Sequence, residues 1–267
     1  GLLINKGWKV SGTKQNPDDK KVNNIELHTF RSGCPITDLK TILEGVTHIL
    51  VSVPPEEEGD PVLALHRLNL LKSSSIEWVG YLSTTGVYGD TGGQEVDERS
   101  NCKPTNKRSK RRLEAERAWL NLYRDYQLPV HIFRLAGIYG PGRSAIESIR
   151  KGKSHRINTP GHVFSRIHVE DIANILVASI RNPNPGQIYN VCDNEPASGA
   201  DVTSYACSLL GVKAPPLIEL EDATLSPMAK SFYRDNRRIN NSKIHSELKI
   251  KLKHPSYREG LKSILKK

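Results

Sequence analysis

Cysteine is scarce in this sequence, and the four present, Cys34, Cys102, Cys192 and Cys207, lie far apart with no C-x-x-C pair. That pattern excludes a disulfide framework and a cysteine zinc site, and it fits a reducing compartment. No apolar run approaches the roughly 20 residues needed to cross a bilayer, which excludes a membrane-spanning class. Repeats and low-complexity tracts are missing, and with them go the collagen-like, coiled-coil and mucin-like classes. The nine histidines form no H-E-x-x-H or comparable metal spacing, so no metal site is expected. No G-x-S-x-G elbow accompanies a Ser/His/Asp set, and no G-x-G-x-x-G turn occurs anywhere. No secretory signal is visible; a cytoplasmic protein is expected, with an organelle as the alternative.

What remains suits a globular protein. A chain of 267 residues and 29.8 kDa is long enough for one large domain, or one domain with a smaller annex. Basic residues number 39 against 29 acidic ones, a formal charge of +10. Such a charge permits association with nucleic acid, anionic lipid or an acidic protein without establishing any of them. Apart from 103–112 and 243–267, the basic residues are scattered over helical segments. A solvated face is the plain reading, and an anionic ligand such as a nucleotide phosphate is the alternative. The 103–112 run lacks interleaved aromatics and any helix-turn-helix, finger or RNA-binding motif, so no nucleic-acid partner is expected.

Periodicity predicts strands at 8–10, 25–30, 47–53, 78–83, 130–135 and 187–191. Helices are expected at 37–43, 62–71, 110–126, 172–180, 202–210 and 257–265. Helix 110–126 carries Ala115, Ala118, Trp119 and Leu122 on one stripe, widened by Leu113 and Leu120. Alternating strands and helices predict an α/β fold: a doubly wound, mostly parallel Rossmann-type sheet covered on both faces, with 49–53 and 78–82 central. Residues 1–140 read as its nucleotide-binding core, 141–165 as a small-lobe insertion, 166–191 as the return to the core, and 192–267 as mainly a small C-terminal substrate lobe. Leu2, Leu3 and Ile4 ahead of Lys6-Gly7 read as the last turn and C-cap of a helix. A sheet of this kind opens with a strand, a glycine-rich turn and a helix, so about twenty to twenty-five further residues are expected before Gly1. The alternative is a fold that has lost its phosphate turn.

Four segments fall in register. Tyr81-Leu-Ser-Thr-Thr-Gly-Val-Tyr-Gly-Asp90 resembles the strand-five loop of extended short-chain dehydrogenases/reductases, the NAD-dependent epimerase/dehydratase family. Arg134-Leu-Ala-Gly-Ile-Tyr-Gly-Pro-Gly-Arg143 resembles that family's segment after strand six, Ile167-His-Val-Glu-Asp-Ile-Ala173 a helix start, and Ile188-Tyr-Asn-Val191 a late strand. The later segments 225–232 and 257–261 are similar to a less-characterised branch with a shortened C-terminal lobe.

By this resemblance Thr84, in register with Val87-Tyr88-Gly89, is the hydroxyl that hydrogen-bonds the reacting oxygen. Read without it, Thr84 is equally a strand-end cap. The family places Tyr-x-x-x-Lys on the next helix, where i, i+4 spacing puts both side chains on one face and the lysine lowers the phenol's pKa. Counting back from Leu113-Glu-Ala-Glu116 puts Arg108 at the tyrosine position and Arg112 at the lysine position. Arginine stays protonated and cannot exchange a proton there. Arg112 would still hold a ribose or phosphate through its fork, and Arg108 an anionic substrate; solvated surface is the alternative for both. Ser109 points about 100° around the helix from Arg108, which leaves Tyr88 and Tyr139 as other candidate acids.

A carboxylate ending the second strand would favour NAD. Here Val10-Ser-Gly-Thr-Lys14 has no acid before Asp18, and Thr13 and Lys14 would accommodate a 2′-phosphate. NADP is therefore expected, with NAD as the alternative. Family register makes Ser52, Val53 and Pro54 backbone contacts of the cofactor and sets Ala136 and Ile138 beside the nicotinamide. His168 is expected to shape a helix start beside Glu170 and Asp171, with Asp171 as an anchor. The expected partners are a dinucleotide and a small anionic or polar substrate, with a homodimer or a larger complex as the assembly. Hydride transfer on a small carbonyl or hydroxyl compound is the function implied; a non-catalytic relative serving regulation or assembly is the alternative.

Overall fold

The computed structural model describes residues 1–16, 21–22 and 25–266. A 3-10 turn, Ile4–Lys6, ends on Gly7 in the left-handed region at φ 80°. β1 (Ser11–Lys14) begins later than the expected 8–10, at the first residue that pairs with β3, and Trp8 ahead of it lays its ring against His48, with centroids 4.7 Å apart. β2 (Lys21–Val22) and β3 (Ile25–Thr29) complete a three-stranded sheet in the order β1-β3-β2. A short helix α1 (Leu39–Ile42) and strand β4 (His48–Val51) lead into α2 (Pro61–Lys72). Asp60 fixes the start of α2 by accepting the Val62 and Leu63 N–H groups at 3.0 Å, with proline at the first helical position.

β5 (Trp78–Thr84) is followed by the two-residue β6 (Glu95–Val96) and by α3 (Lys107–Tyr126). Asn106 caps α3 by accepting the Ser109 N–H at 2.9 Å, so the cap, and not the apolar stripe from 110, sets where the helix begins. β7 (Val130–Leu135), β8 (Gly137–Tyr139), α4 (Ala145–Arg150), β9 (Arg156–Ile157), β10 (Arg166–His168), α5 (Val169–Arg181) and β11 (Ile188–Val191) follow in turn. The chain then runs through α6 (Gly199–Leu210), β12 (Leu217–Ile218), α7 (Pro227–Ser231), β13 (Arg238–Ile239), α8 (Ser242–Glu247) and α9 (Tyr257–Leu265).

The main sheet has the order β11-β7-β5-β4 and is parallel throughout. Among the described strands only β2 and β3 pair antiparallel. The period-2 alternation of β5 and β7 sorts their side chains to two faces. Val79, Tyr81, Val130 and Ile132 pack with Trp119 and Leu122 of α3 and Leu70 of α2. Trp78, Phe133 and Leu135 turn the other way, onto Ile175 of α5 and onto Ile244, Leu248 and Leu252. Each side chain fully buried in this way contributes about 1.5–3 kcal/mol. A further cluster joins α4, α6 and α9 around Ile146, Ala206 and Leu261. The architecture is thus α/β, a doubly wound, mostly parallel Rossmann-type sheet with helices on both faces.

One expectation is corrected. The 49–53 strand was expected at the centre, but β4 forms the edge of the four-stranded sheet and leaves Leu50 50% exposed. β1 pairs with β3 instead, so the second side of β4 meets no described strand, and β5 and β7 take the centre.

Candidate functional site

Parallel strands present their C-terminal ends on one edge, which is where open α/β sheets bind ligands. Register sets Val51 beside Tyr81 and Thr84 beside Leu135. Residues 52–54, Thr84 and Ala136 therefore leave three adjacent strands on this edge. Ser52 and Pro54 are exposed and Val53 half-buried. Ala136 is buried and donates its N–H to the Val191 carbonyl at 3.0 Å, while Ile138, in β8, is 37% exposed. Thr13 and Lys14 end β1 in the three-stranded sheet, exposed to solvent; among the described strands no pairing joins them to the β4-β5-β7 edge. Asp18 lies outside the described residues.

Thr84 keeps an extended backbone, after which the chain turns through the 3-10 segment Thr85–Tyr88. Its Oγ1 accepts the Gly86 N–H at 3.1 Å, so the hydroxyl proton is available to an acceptor beyond the strand. A methyl group at Gly86 would lie 2.7 Å from Ser109 Oγ and 3.4 Å from Thr84 Oγ1, so the Ser109 hydroxyl would have to shift to admit it. The Thr84 and Ser109 hydroxyls thus approach the same glycine, drawing the first turn of α3 against the end of β5.

Arg112 turns inward. Its Nη1 donates to the Tyr81 hydroxyl and to the Leu82 carbonyl, both at 3.0 Å, and its guanidinium stands 5.5 Å from the Tyr81 ring centroid. Burial drives the Tyr81 phenol above its ordinary range, with the Arg112 charge opposing it. Asp60 completes this inner group by accepting Trp119 Nε1–H at 3.1 Å. Burial raises its pKa against the pull of the Leu63 N–H, Trp119 and Val62 N–H bonds. Arg108 stays at the surface, with no ion pair among the described residues. The structure therefore brings Thr84 and Arg112 to β5 and leaves Arg108 outside.

Neither alternative phenol opens to a cleft. Tyr88 is buried and donates to Asn190 Oδ1 at 2.7 Å while accepting from Arg134 Nη1 at 2.9 Å. Burial pushes its pKa up to about 12. Tyr139 is buried too and donates to the Ser256 carbonyl at 3.3 Å, its pKa raised by burial. Both were candidate acids on sequence grounds, and packing withdraws both from that role.

Sequence reasoning missed two other groupings. His168, Glu170 and His254 bring three ligand-type atoms within 4.8 Å of one another, although His254 is remote in sequence. Hydrogen bonds already commit these groups: His168 Nδ1 accepts the Glu170 N–H at 3.2 Å, and Glu170 Oε2 takes Lys253 Nζ at 2.8 Å and His254 Nε2 at 3.0 Å. A neutral His168 ring that accepts at Nδ1 carries its proton on Nε2, which opposes metal ligation at that atom. Asp171 is buried beside them and accepts the Lys253 and His254 N–H groups at 2.7 and 2.9 Å. Together they clasp the 253–254 segment to the start of α5. The second grouping is a cleft of about 430 Å³ whose walls include Arg156, Asn158, Thr159, His162, Glu195 and Arg258. Arg156 Nε and Thr159 Oγ1 are buried there with no hydrogen-bond partner among the described residues, a state that water or a polar ligand would relieve. These residues come from segments too far apart in the chain for spacing to reveal them.

Residues 60–192, from the N-cap of α2 to the end of β11, match the model of the NAD dependent epimerase/dehydratase family. The chain belongs to that family. A structure of a conserved protein of unknown function from Silicibacter pomeroyi superposes with a TM-score of 0.90 at 45% identity, covering 99% of this chain and 92% of that one. Protein YeeZ of Escherichia coli K12 is 28% identical over 230 residues, 80% of this chain and 79% of its own. The dTDP-glucose 4,6-dehydratase of Bacillus anthracis, in complex with NAD, shares the fold at a TM-score of 0.76 and 19% identity, covering 99% of this chain and 89% of that one.

Proposed function

We propose that this family member is an NAD(P)-binding epimerase- or reductase-like protein that supports hydride transfer on a small polar carbonyl or hydroxyl substrate. The observation that carries the reading is Thr84: a hydroxyl at the C-terminal edge of a central parallel strand that accepts the Gly86 N–H on one lone pair and keeps its O–H to donate to a substrate oxygen. The bound nicotinamide would supply the hydride chemistry.

The residues present fit the nicotinamide end of such a cofactor. Residues 52–54 and Ala136 follow the strands on either side of Thr84, and Ile138 stands beyond them. Thr13 and Lys14 are the groups on which a preference for NADP over NAD rests. Arg112, anchored on Tyr81 and Leu82, sets a fixed positive charge beneath this edge, and Arg108 supplies a mobile one to an anionic substrate. Proton exchange falls to water, since the nearby phenols are buried. The substrate lobe is assigned to 141–165 and 192–267, where the cleft lined by Arg156 and Thr159 offers unmet donors.

A non-catalytic role in regulation or assembly is the second reading, and it is favoured by the inward turn of Arg112 at the lysine position. Four free cysteines suit a reducing compartment, cytoplasm or organelle. Among the described residues no helix is long and apolar enough to cross a membrane.

Calorimetric titration with NADPH and, separately, NADH tests the first reading. Saturable binding of one, followed by turnover in a panel of small hydroxyl and carbonyl compounds, is the expected result. Binding of neither overturns it and leaves the second reading.

A further inference from the structure

β9 and β12 pair in parallel, with Arg156 opposite Leu217. The pairing brings the chain before β12 within reach of the arginine, whose Nη1 donates to the Pro215 carbonyl at 3.1 Å. Among the described residues that is its only hydrogen bond, and it enters no ion pair. Its Nε is buried and has no hydrogen-bond partner among the same residues. The guanidinium is therefore fixed at one nitrogen while its side-on edge, Nε with Nη2, stays unused. An edge of this kind takes a carboxylate through two parallel bonds. A half-buried charge without a counter-charge costs stability, so packing alone does not account for it.

The cleft of about 430 Å³ that Arg156 lines holds two more groups in the same state. Thr159 Oγ1 and both ring nitrogens of His162 are buried with no hydrogen-bond partner among the described residues. A hydroxyl both donates and accepts, and a neutral imidazole brings one donor and one acceptor. Groups of that kind match hydroxyls. The carboxylates on the walls are already engaged: Glu195 holds Arg258 at 3.1 Å, and Asp201 accepts the Ser198 hydroxyl at 2.8 Å. They leave Arg156 without a counter-charge, and they oppose the entry of a dianion.

We propose that this cleft binds a small hydroxycarboxylate, its carboxylate on the Nε–Nη2 edge of Arg156 and its hydroxyls on Thr159 and His162. The inference rests on the assignment of this cleft to the substrate lobe, and it names the substrate class. Water would satisfy Thr159 but brings no charge to Arg156. A phosphate monoester would set close to two charges against Glu195 and Asp201.

The probes are glycerate, threonate and gluconate, each set against the uncharged polyol of the same carbon number, with glycerol 3-phosphate and glucose 6-phosphate as dianions. Calorimetric titration of the full chain, with no dinucleotide present, should show saturable binding of at least one carboxylate and weaker or no binding of its polyol and of the phosphates. Arg156→Met should weaken that binding by about tenfold or more. Arg156→Lys should recover only part of it, because lysine lacks the fork, and Thr159→Val should weaken it by roughly threefold or more. Melting temperatures of the lysine and valine variants should stay near wild type, and those two decide the matter if Arg156→Met does not fold. Three results overturn the proposal: carboxylates that bind no better than their polyols, phosphates that bind more tightly than any carboxylate, or binding left undiminished by both Arg156→Lys and Thr159→Val. Failure to bind NADPH or NADH overturns the hydride-transfer reading instead and leaves this result standing.

Discussion

Glu116 and Arg134 form a forked ion pair inside the protein: Arg134 Nη2 lies 2.8 Å from Glu116 Oε2, and Nε is 3.2 Å from both carboxylate oxygens. Their side chains are 1% and 4% exposed. The Ser83 hydroxyl donates to the same carboxylate and Arg134 Nη1 to Tyr88, so α3, β5, β7 and the turn after Thr84 meet at one pair of charges. Burial opposes the guanidinium charge, but the Glu116 carboxylate outweighs it and raises the Arg134 pKa.

Glu116→Ala should therefore destabilise the fold by about 3–5 kcal/mol, because it strands a buried guanidinium. The double change Glu116→Leu/Arg134→Met, which removes both charges and keeps volume, should cost far less. Urea unfolding of the three proteins measures this. A single variant within about 1 kcal/mol of wild type would show that the pair is not a structural unit.

The contrast between what the sequence disclosed and what it hid follows from range. β5 and β7 were visible because apolar alternation over six or seven residues has a period to detect. Thr84 was visible because its loop is a contiguous pattern. β6 and β13 were not: each is two residues long, and they pair across most of the chain, Glu95 with Arg238 and Val96 with Ile239. Nothing in the sequence singles out Glu116, since its partner, Arg134, lies in the following strand. The inward turn of Arg112 was hidden for the same reason, being set by the Tyr81 hydroxyl and Leu82 carbonyl on β5. The edge position of β4 depends on which strand pairs with β1, and periodicity carries no information on pairing.

Thr84→Ala removes the hydroxyl but not the packing of β5. Dinucleotide binding should stay within about twofold of wild type, while turnover on a substrate found in the screen falls by roughly 10²-fold. Thr84→Ser should restore most of the rate. An alanine variant with unchanged kcat would remove Thr84 from the reaction and leave it as the cap of the turn at Gly86.

Asp193 is buried with Oδ1 on the Glu195 N–H at 3.3 Å and Oδ2 without a hydrogen-bond partner among the described residues. Burial pushes its pKa up to about 7, against the pull of the Glu195 N–H and Arg166. The folded state then holds a proton that the unfolded chain releases near pH 4, so this group costs stability as pH rises from about 4 to 7. Asp193→Asn should raise stability at pH 8 by on the order of 2 kcal/mol and change it little at pH 4. Thermal melts across that range check the sign. A variant less stable than wild type at pH 8 would mean that the ionised carboxylate is needed.

His131 lies at the opposite extreme. It is fully buried in β7, where Nε2 accepts the Asn184 N–H at 3.0 Å, and its ring stacks on Trp78 with centroids 5.6 Å apart. Burial lowers its pKa to about 4, against 6.5 in an unfolded chain. Between those values the unfolded state binds the extra proton, so unfolding becomes easier as pH falls, by about 3 kcal/mol over the full window. Above pH 7 the group has no further effect. His131→Gln keeps an acceptor for Asn184 and removes the titration, so its denaturation midpoint should fall less steeply than that of wild type between pH 6.5 and 4. The two slopes, taken from urea melts at matched ionic strength, decide the point. Parallel slopes would assign the acid sensitivity of the fold to other groups.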